Sequence, residues 1–438
     1  MENMIPLNGR IAIVDDKIEQ ALPLMRIFSK NNIPYTFYDG NDSDSFPEKP
    51  ENDIRILFLD LNLLGGKVQR PKEIRSSLIN TLRHLLSPEN YPYILILWSR
   101  QESEYKEVVE DIFKNELKDR APITIKPYVK SVFFPNFADD IDNTQDKQII
   151  LDEFKKILAE LPAYSYLLQW ENQVHNSADE TIGDVFRDYH SCENWKGNAN
   201  CILEMLAKSY LEQSYENVTL ETKTKASMLL LNDVLYDCLE NRINNNLFGS
   251  TEELTHSISD KEAENVAYKI NHRLLLSNVF DDIKQPGCVF KYFSSKKYKA
   301  HFEEILNDSC TCSDNVKKNM IATMIPCEVV VTPACDYAQK KNKTNRLVQG
   351  LLIESKHVIG NNNKIKNIDN RTDAIYISPV FEYKNKYYVL VLNFRYFVTD
   401  DMVTDKKNYP LFRLRGSILA EIQSKLARHV NRQGIMNL

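Results

Sequence analysis

Over its first 160 residues the chain alternates short apolar runs with stretches in which apolar residues recur every three or four positions. The first run, residues 10–14 (RIAIV), is closed by Asp15 and Asp16. Ile18, Ala21, Leu22, Met25 and Phe28 then follow at helical spacing. Residues 33–38 read as a second strand, and the Asp-, Ser-, Pro- and Asn-rich stretch 39–52 as a long surface loop. A third run, 54–59, ends in Asp60, and a fourth, 93–98, ends in Ser99. Between them Ile74, Leu78, Leu82 and Leu85 mark a helix; Tyr105, Val108, Ile112, Phe113 and Leu117 mark the next. A fifth strand begins at Ile123, and a last helix near 144–161 carries Ile150, Phe154, Ile157 and Leu158 on one face. Continuously apolar strands separated by amphipathic helices predict a parallel sheet covered on both faces, a flavodoxin-like α/β fold.

The pattern changes twice further on. From about 163 to 278 it is almost wholly helical, with Met228, Leu231, Leu235, Cys238 and Leu239 in one long segment and Ala263, Val266, Ala267, Ile270 and Leu274 in another. That predicts four or five helices in a bundle. After Pro286-Gly287 strand patterns return, and 371–382 with 386–398 make the clearest hairpin, turning at Lys384-Asn385. A closing helix, 416–430, carries Ile418, Ile422, Leu426 and Val430. Three domains are expected: an α/β domain over 1–161 that folds alone, a helical region over 162–280, and a β-rich α+β domain over 281–438.

The 438 residues carry 55 Lys and Arg against 61 Asp and Glu, a formal net charge of −6, so no global positive field indicates nucleic acid as a partner. With only 12 glycines, the chain contains neither G-x-G-x-x-G nor a P-loop, which excludes the commonest nucleotide-binding loops. No stretch reaches the roughly 18 apolar residues that span a bilayer, and residues 1–10 lack a signal-peptide plan. No membrane association is expected, and the eight scattered cysteines fit reduced thiols in the cytoplasm.

In a parallel sheet the chemistry sits beyond the carboxyl ends of the strands. Standing there are Asp15, Asp16, Asp60, Ser99, and either Lys126 (IKPY) or Lys130 (YVKS). Converging carboxylates repel unless a hard cation joins them, and Mg²⁺ accepts that ligand set with waters completing its octahedron. A hydroxyl and a lysine beside them suit phosphoryl oxygens. These residues, in IVDD, LFLDLN and ILWS with a lysine after the fifth strand, resemble the receiver domain of two-component response regulators. The resemblance implies that Asp60 is the phosphoacceptor. It places Mg²⁺ on Asp15, Asp16, Asp60 and the backbone carbonyl of Asn62, and the phosphoryl oxygens on Ser99 and the lysine. It departs from the receiver pattern in the long loop after the second strand, in the wide separation of the third and fourth strands, and in lacking an aromatic three residues before either lysine.

Elsewhere the signals are thinner. His175 in the WENQVH stretch is a candidate ligand or phosphate relay, although a lone helical histidine is more often packed or on the surface. Cys310, Cys312, Cys327 and Cys335 lie close in sequence, but their spacing misses the paired plan of zinc sites, and no structural zinc is expected. Cys335-Asp336, with Lys340 and with His357 as a conceivable base, is read as a strand-end feature rather than a catalytic pair. The Pro-Gly opening, the TPACD strand end, the hairpin and the closing helix are similar to a small SH3-like barrel. The whole order resembles a bacterial family of response-receiver proteins. That implies aspartyl phosphorylation by a partner histidine kinase controlling the helical and C-terminal output, with a link to stress or phage-defence signalling and a homodimer as a compatible assembly. Two alternatives stand beside it: a scaffold whose degenerate receiver binds a partner constitutively, and a C-terminal effector enzyme such as a nuclease.

Overall fold

The computed structural model describes residues 5–6, 9–61, 63, 71–99, 106–130, 144–187, 195–245, 258–279, 282, 284–291, 296–338, 344–360, 364–369, 371–400 and 409–431; at 71, 99, 144–151, 245, 296–299 and 409 it describes the backbone alone. Tertiary contacts group the chain into two units, Met1–Trp195 with Leu231–Thr255, and Lys196–Leu230 with His256–Leu438.

The first unit is built on β1 (Ile11–Asp15), α1 (Ile18–Lys30), β2 (Thr36–Asp39), β3 (Ile56–Leu59), α2 (Pro71–Leu85), β4 (Ile94–Ser99), α3 (Lys106–Asn115), β5 (Thr124–Val129), α4 (Thr144–Ala159) and α5 (Pro162–Phe186). Its five strands are parallel in the order β2-β1-β3-β4-β5, as a doubly wound sheet requires. Alternate residues of each strand serve opposite faces, and both faces are buried, which is why the strands read as unbroken apolar runs. Ile11, Ile13, Phe58, Ile96 and Trp98 pack under α1 and α4; Ala12, Val14, Leu57, Leu59, Leu95 and Leu97 pack under α2 and α3.

Two features differ from the sequence expectation. The second strand starts at Thr36 rather than Ile33, because Pro34 has no N–H to give to a ladder. The first core also continues past residue 161: Tyr164 and Leu168 of α5 are buried among Phe28, Phe58 and Phe154, and the Tyr164 hydroxyl donates to the carbonyl of Arg55 at 2.6 Å. No helix joins β2 to β3, as the polar run predicts; a short 3₁₀ turn at Ser43–Ser45 is capped by the Asp42 carboxylate.

The helices of the 162–280 stretch are divided between the units: α5 belongs to the first, α6 (Trp195–Leu211) to the second apart from its first residue, and α7 (Leu220–Asn245) contributes to both. The second unit continues with α8 (Asp260–Leu275), β6 (Leu276–Ser277), β7 (Cys288–Lys291), α9 (Lys296–Ser309), α10 (Asp314–Thr323), β8 (Ile325–Val330) and α11 (Ala334–Ala338). It ends with β9 (Asn345–Glu354), α12 (Ser355–Val358), β10 (Ile375–Ile377), β11 (Phe381–Tyr383), β12 (Lys386–Asp400), β13 (Tyr409–Leu414) and α13 (Gly416–Val430).

Where a small SH3-like barrel is expected, the structure has a curled eight-stranded antiparallel sheet in the order β10-β12-β9-β8-β7-β13-β6, with β11 paired to β12. One face packs on α13 through Ile418, Leu419, Ile422 and Leu426; the other packs on α9 and α10 through Phe302, Ile305, Leu306 and Met320. Gly287 opens β7 at φ +84°, and a Cβ there would lie 2.6 Å from the carbonyl oxygen of Leu414, so the Pro-Gly turn needs its glycine. The β11–β12 hairpin turns at Lys384 and Asn385, both at positive φ (50° and 61°), the tight turn that the sequence predicts.

Candidate functional site

Three strand ends of the first unit meet in one crevice. Asp15 closes β1, Asp60 follows β3, and Lys130 follows β5; their exposures are 0%, 4% and 0%. The parallel ladder sets this convergence. Val14 pairs with Leu59, the Asp60 N–H donates to the Val14 carbonyl at 2.8 Å, and Ser99 pairs with Val129, one residue before Lys130.

The Lys130 ammonium donates to Asp15 Oδ2 at 2.6 Å, to Asp60 Oδ2 at 2.8 Å and to Gln20 Oε1 at 3.3 Å. Its three donors are therefore matched by three acceptors, as a fully buried ammonium requires. The other carboxylate oxygens take backbone N–H groups, Asp15 Oδ1 from Lys17 at 3.1 Å and Asp60 Oδ1 from Leu61 at 2.7 Å. Carboxylate oxygens of Asp15, Asp16 and Asp60 lie within 4.8 Å of one another, with Asp16 partly exposed at the rim. Three carboxylates and one ammonium leave a charge of −3 + 1 = −2 when all are ionised. Burial of Asp15 pushes its carboxyl up to about 7, opposed by the Lys130 charge and reinforced by Asp60. The donor set and its charge fit one hard divalent cation.

The lysine left open by the sequence is placed by the structure. Lys126 sits inside β5 opposite Ile96 and pairs with Glu160 at 2.5 Å on a partly exposed surface, so it is not part of the crevice. Ser99 ends β4 at the same edge, although only its backbone is described, and Asn62 lies outside the described residues. Sequence reasoning missed Gln20, which projects from the first turn of α1 on the buried stripe shared with Leu24 and Ile27. The Asn41 side chain, which donates to the Asp16 carbonyl at 2.9 Å, was missed as well.

The WENQVH stretch lies at the other end of the sheet. Glu171 of α5 accepts from Arg10 at 2.6 Å and from Arg55 at 3.0 and 3.1 Å, the residues just before β1 and β3. His175 contacts Arg10 at 3.1 Å, and Asn172 donates to the Ile5 carbonyl at 2.9 Å. His175 thus belongs to a polar clamp holding α5 under the sheet. A further acidic group, Glu180, Asp184 and Cys238, is occupied by ion pairs from Arg242 to Glu180 and from Arg187 to Asp184.

In the second unit Cys327 is wholly buried in β8, Cys310 lies 3.9 Å from the Met320 sulfur, and Cys335 is exposed in α11 beside Asp336. Burial raises the Cys310 thiol to about 12 and raises that of Cys327 as well. No hydrogen bond among the described residues joins His357 to Cys335, and Lys340 lies outside them. Among the described residues no helix is long and apolar enough to cross a membrane.

The fold and crevice are compatible with a receiver-like α/β domain. Compared with known proteins, the chain matches no family model, no curated protein and no solved structure.

Proposed function

We propose that the first unit is a receiver-type phosphoacceptor in a cytoplasmic signalling protein, with Asp60 as the acceptor. The observation that carries this reading is the Lys130 ammonium bridging Asp15 and Asp60 at the carboxyl edge of a 2-1-3-4-5 parallel sheet, with Asp16 beside them. An Asp60 oxygen attacks phosphorus, the bond from phosphorus to the donor nitrogen of a kinase histidine breaks, and the released imidazole recovers its proton from solvent. The product is an acyl phosphate on Asp60. Lys130 holds one of the new oxygens and releases part of its contact to Asp15, which changes the strand-end arrangement that a partner reads. Asp15, Asp16 and Asp60 would hold Mg²⁺, which supplies charge neutralisation for the transferring group.

A second reading draws on the same bridge. The lysine already satisfies both aspartates internally, as a degenerate receiver acting as a constitutive scaffold would need. Incubation with a small phosphodonor and Mg²⁺, followed by intact-mass measurement, separates the two. A single alkali- and hydroxylamine-labile addition of one phosphoryl group, absent in Asp60→Asn, is expected. Unmodified protein under conditions that label a known receiver favours the scaffold.

A further inference from the structure

The second unit contains a cavity of about 460 Å³ between α8 and the β11–β12 turn. Lys269, His272 and Arg273 come from successive turns of α8, Glu382, Lys384 and Asn385 from the hairpin, and Asn278 from the segment after β6. The walls are held together. Asn271 donates to the Val380 carbonyl at 2.8 Å, the His272 Nδ1–H donates to the Glu382 carbonyl at 2.6 Å, and Tyr268 packs on Tyr387 with ring centroids 5.0 Å apart. The positive φ of Lys384 and Asn385 turns the chain sharply at the rim, where the Lys384 ammonium rests 5.3 Å from the Tyr383 ring.

The chemistry of this lining selects its occupant. All seven lining residues carry a polar or charged group, while the stems of the lysines, the arginine and the histidine ring add apolar surface between those groups. Three permanent cations face one carboxylate, a balance of +3 − 1 = +2, in a chain whose net charge is −6. No ion pair engages Lys269, Arg273 or Lys384 among the described residues, unlike the helix-surface lysines 208, 225 and 425, which are each paired with a glutamate. The volume falls within the roughly 300–1,000 Å³ of small-molecule sites.

We propose that this cavity binds a small phosphate-bearing molecule of nucleotide size, its phosphates held by Lys269, Arg273 and Lys384. A bare phosphate ion leaves most of the volume unused. A nucleoside phosphate carries the same charge on a body that fills the volume. Guanidinium and ammonium groups on one wall, with two side-chain amides beside them, supply the forked and single donors that phosphate oxygens accept.

Isothermal titration of the full-length protein with ADP, adenosine and pyrophosphate tests this. Saturable ADP binding that weakens with added salt, no adenosine binding, and displacement of ADP by pyrophosphate are expected. Equal affinities for ADP and pyrophosphate would assign the site to the phosphate group alone; tighter ADP binding would assign it to the whole nucleotide. Lys269→Gln with Arg273→Gln should weaken ADP at least tenfold without moving the thermal midpoint, whereas Lys261→Gln on the same helix should not. Absence of binding by every phosphate probe, or binding unchanged in the double variant, would overturn the proposal. So would cosedimentation with phosphatidylserine vesicles in place of ADP binding, which would assign Val266, Ile270 and Leu274, exposed on α8, to a membrane-facing surface.

Discussion

Lys130→Met tests the crevice most directly, because it removes one charge from a fully buried site while keeping most of the side-chain volume. In the folded protein that ammonium is the shared partner of Asp15 at 2.6 Å and Asp60 at 2.8 Å. Without it, two buried carboxylates face each other and lose the cation they share, keeping the backbone N–H groups of Lys17 and Leu61. Breaking a buried ion pair by removing one partner costs about 3–5 kcal/mol, a fifth or more of the ~5–15 kcal/mol by which domains are stable. Lys126→Met removes only a partly exposed pair with Glu160, worth about 1 kcal/mol or less. The three tryptophans, Trp98, Trp170 and Trp195, all belong to the first unit, so urea unfolding followed by their fluorescence reports on the unit that holds the crevice. The expected order of stability is wild type, then Lys126→Met close behind, then Lys130→Met well below. Mg²⁺ at ten times its dissociation constant adds about 1.4 kcal/mol to any form that binds it, so it should recover part of the loss in Lys130→Met. Equal losses in the two variants, or a larger loss in Lys126→Met, would refute the assignment of Lys130 as the buried counter-ion.

Two further predictions concern parts of the fold away from the crevice. Glu171→Ala strips Arg10 and Arg55 of their shared carboxylate and should cost about 3 kcal/mol in the same fluorescence assay, with Glu171→Gln intermediate; a loss under 1 kcal/mol would mean that solvent replaces the clamp. Burial raises the Glu328 carboxyl from 4.5 to about 6, reinforced by Asp400 and opposed by its bond from Gln349. The folded state thus holds this proton more tightly than the unfolded chain, so the stability it contributes is complete below pH 4.5 and is lost as pH rises through about 6. Glu328→Gln, always neutral and still able to accept from Gln349, should therefore stabilise the second unit by up to about 2 kcal/mol at pH 7.5 and by little at pH 4. Calorimetry at the two pH values checks this, and an equal gain at both would mean that ionisation is not the cause.

Local pattern carried a large share of the fold. Five apolar runs, each closed by a turn or a chemistry-bearing residue, were enough to anticipate a parallel sheet. The same reading placed Asp15, Asp16, Asp60 and Ser99 at one edge, because strand ends are local features and all parallel strands end on the same side. The Lys384-Asn385 turn was legible for the same reason: two residues that tolerate positive φ sit between alternating strands.

The choice between Lys126 and Lys130 was not local. It depended on where β5 stops relative to β4, and only the pairing of Ser99 with Val129 shows that the strand runs through Pro127 to Val129 and leaves Lys130 beyond its end. Nor could periodicity assign Glu171 to Arg10 and Arg55, which lie 161 and 116 residues away, or bring the Lys269 wall to the Lys384 turn. A hydrophobic period tells a helix which face to bury. It leaves open which strand, charge or turn that face will meet, since those contacts form between segments whose spacing along the chain leaves no local trace, and they are decided when the sheets close.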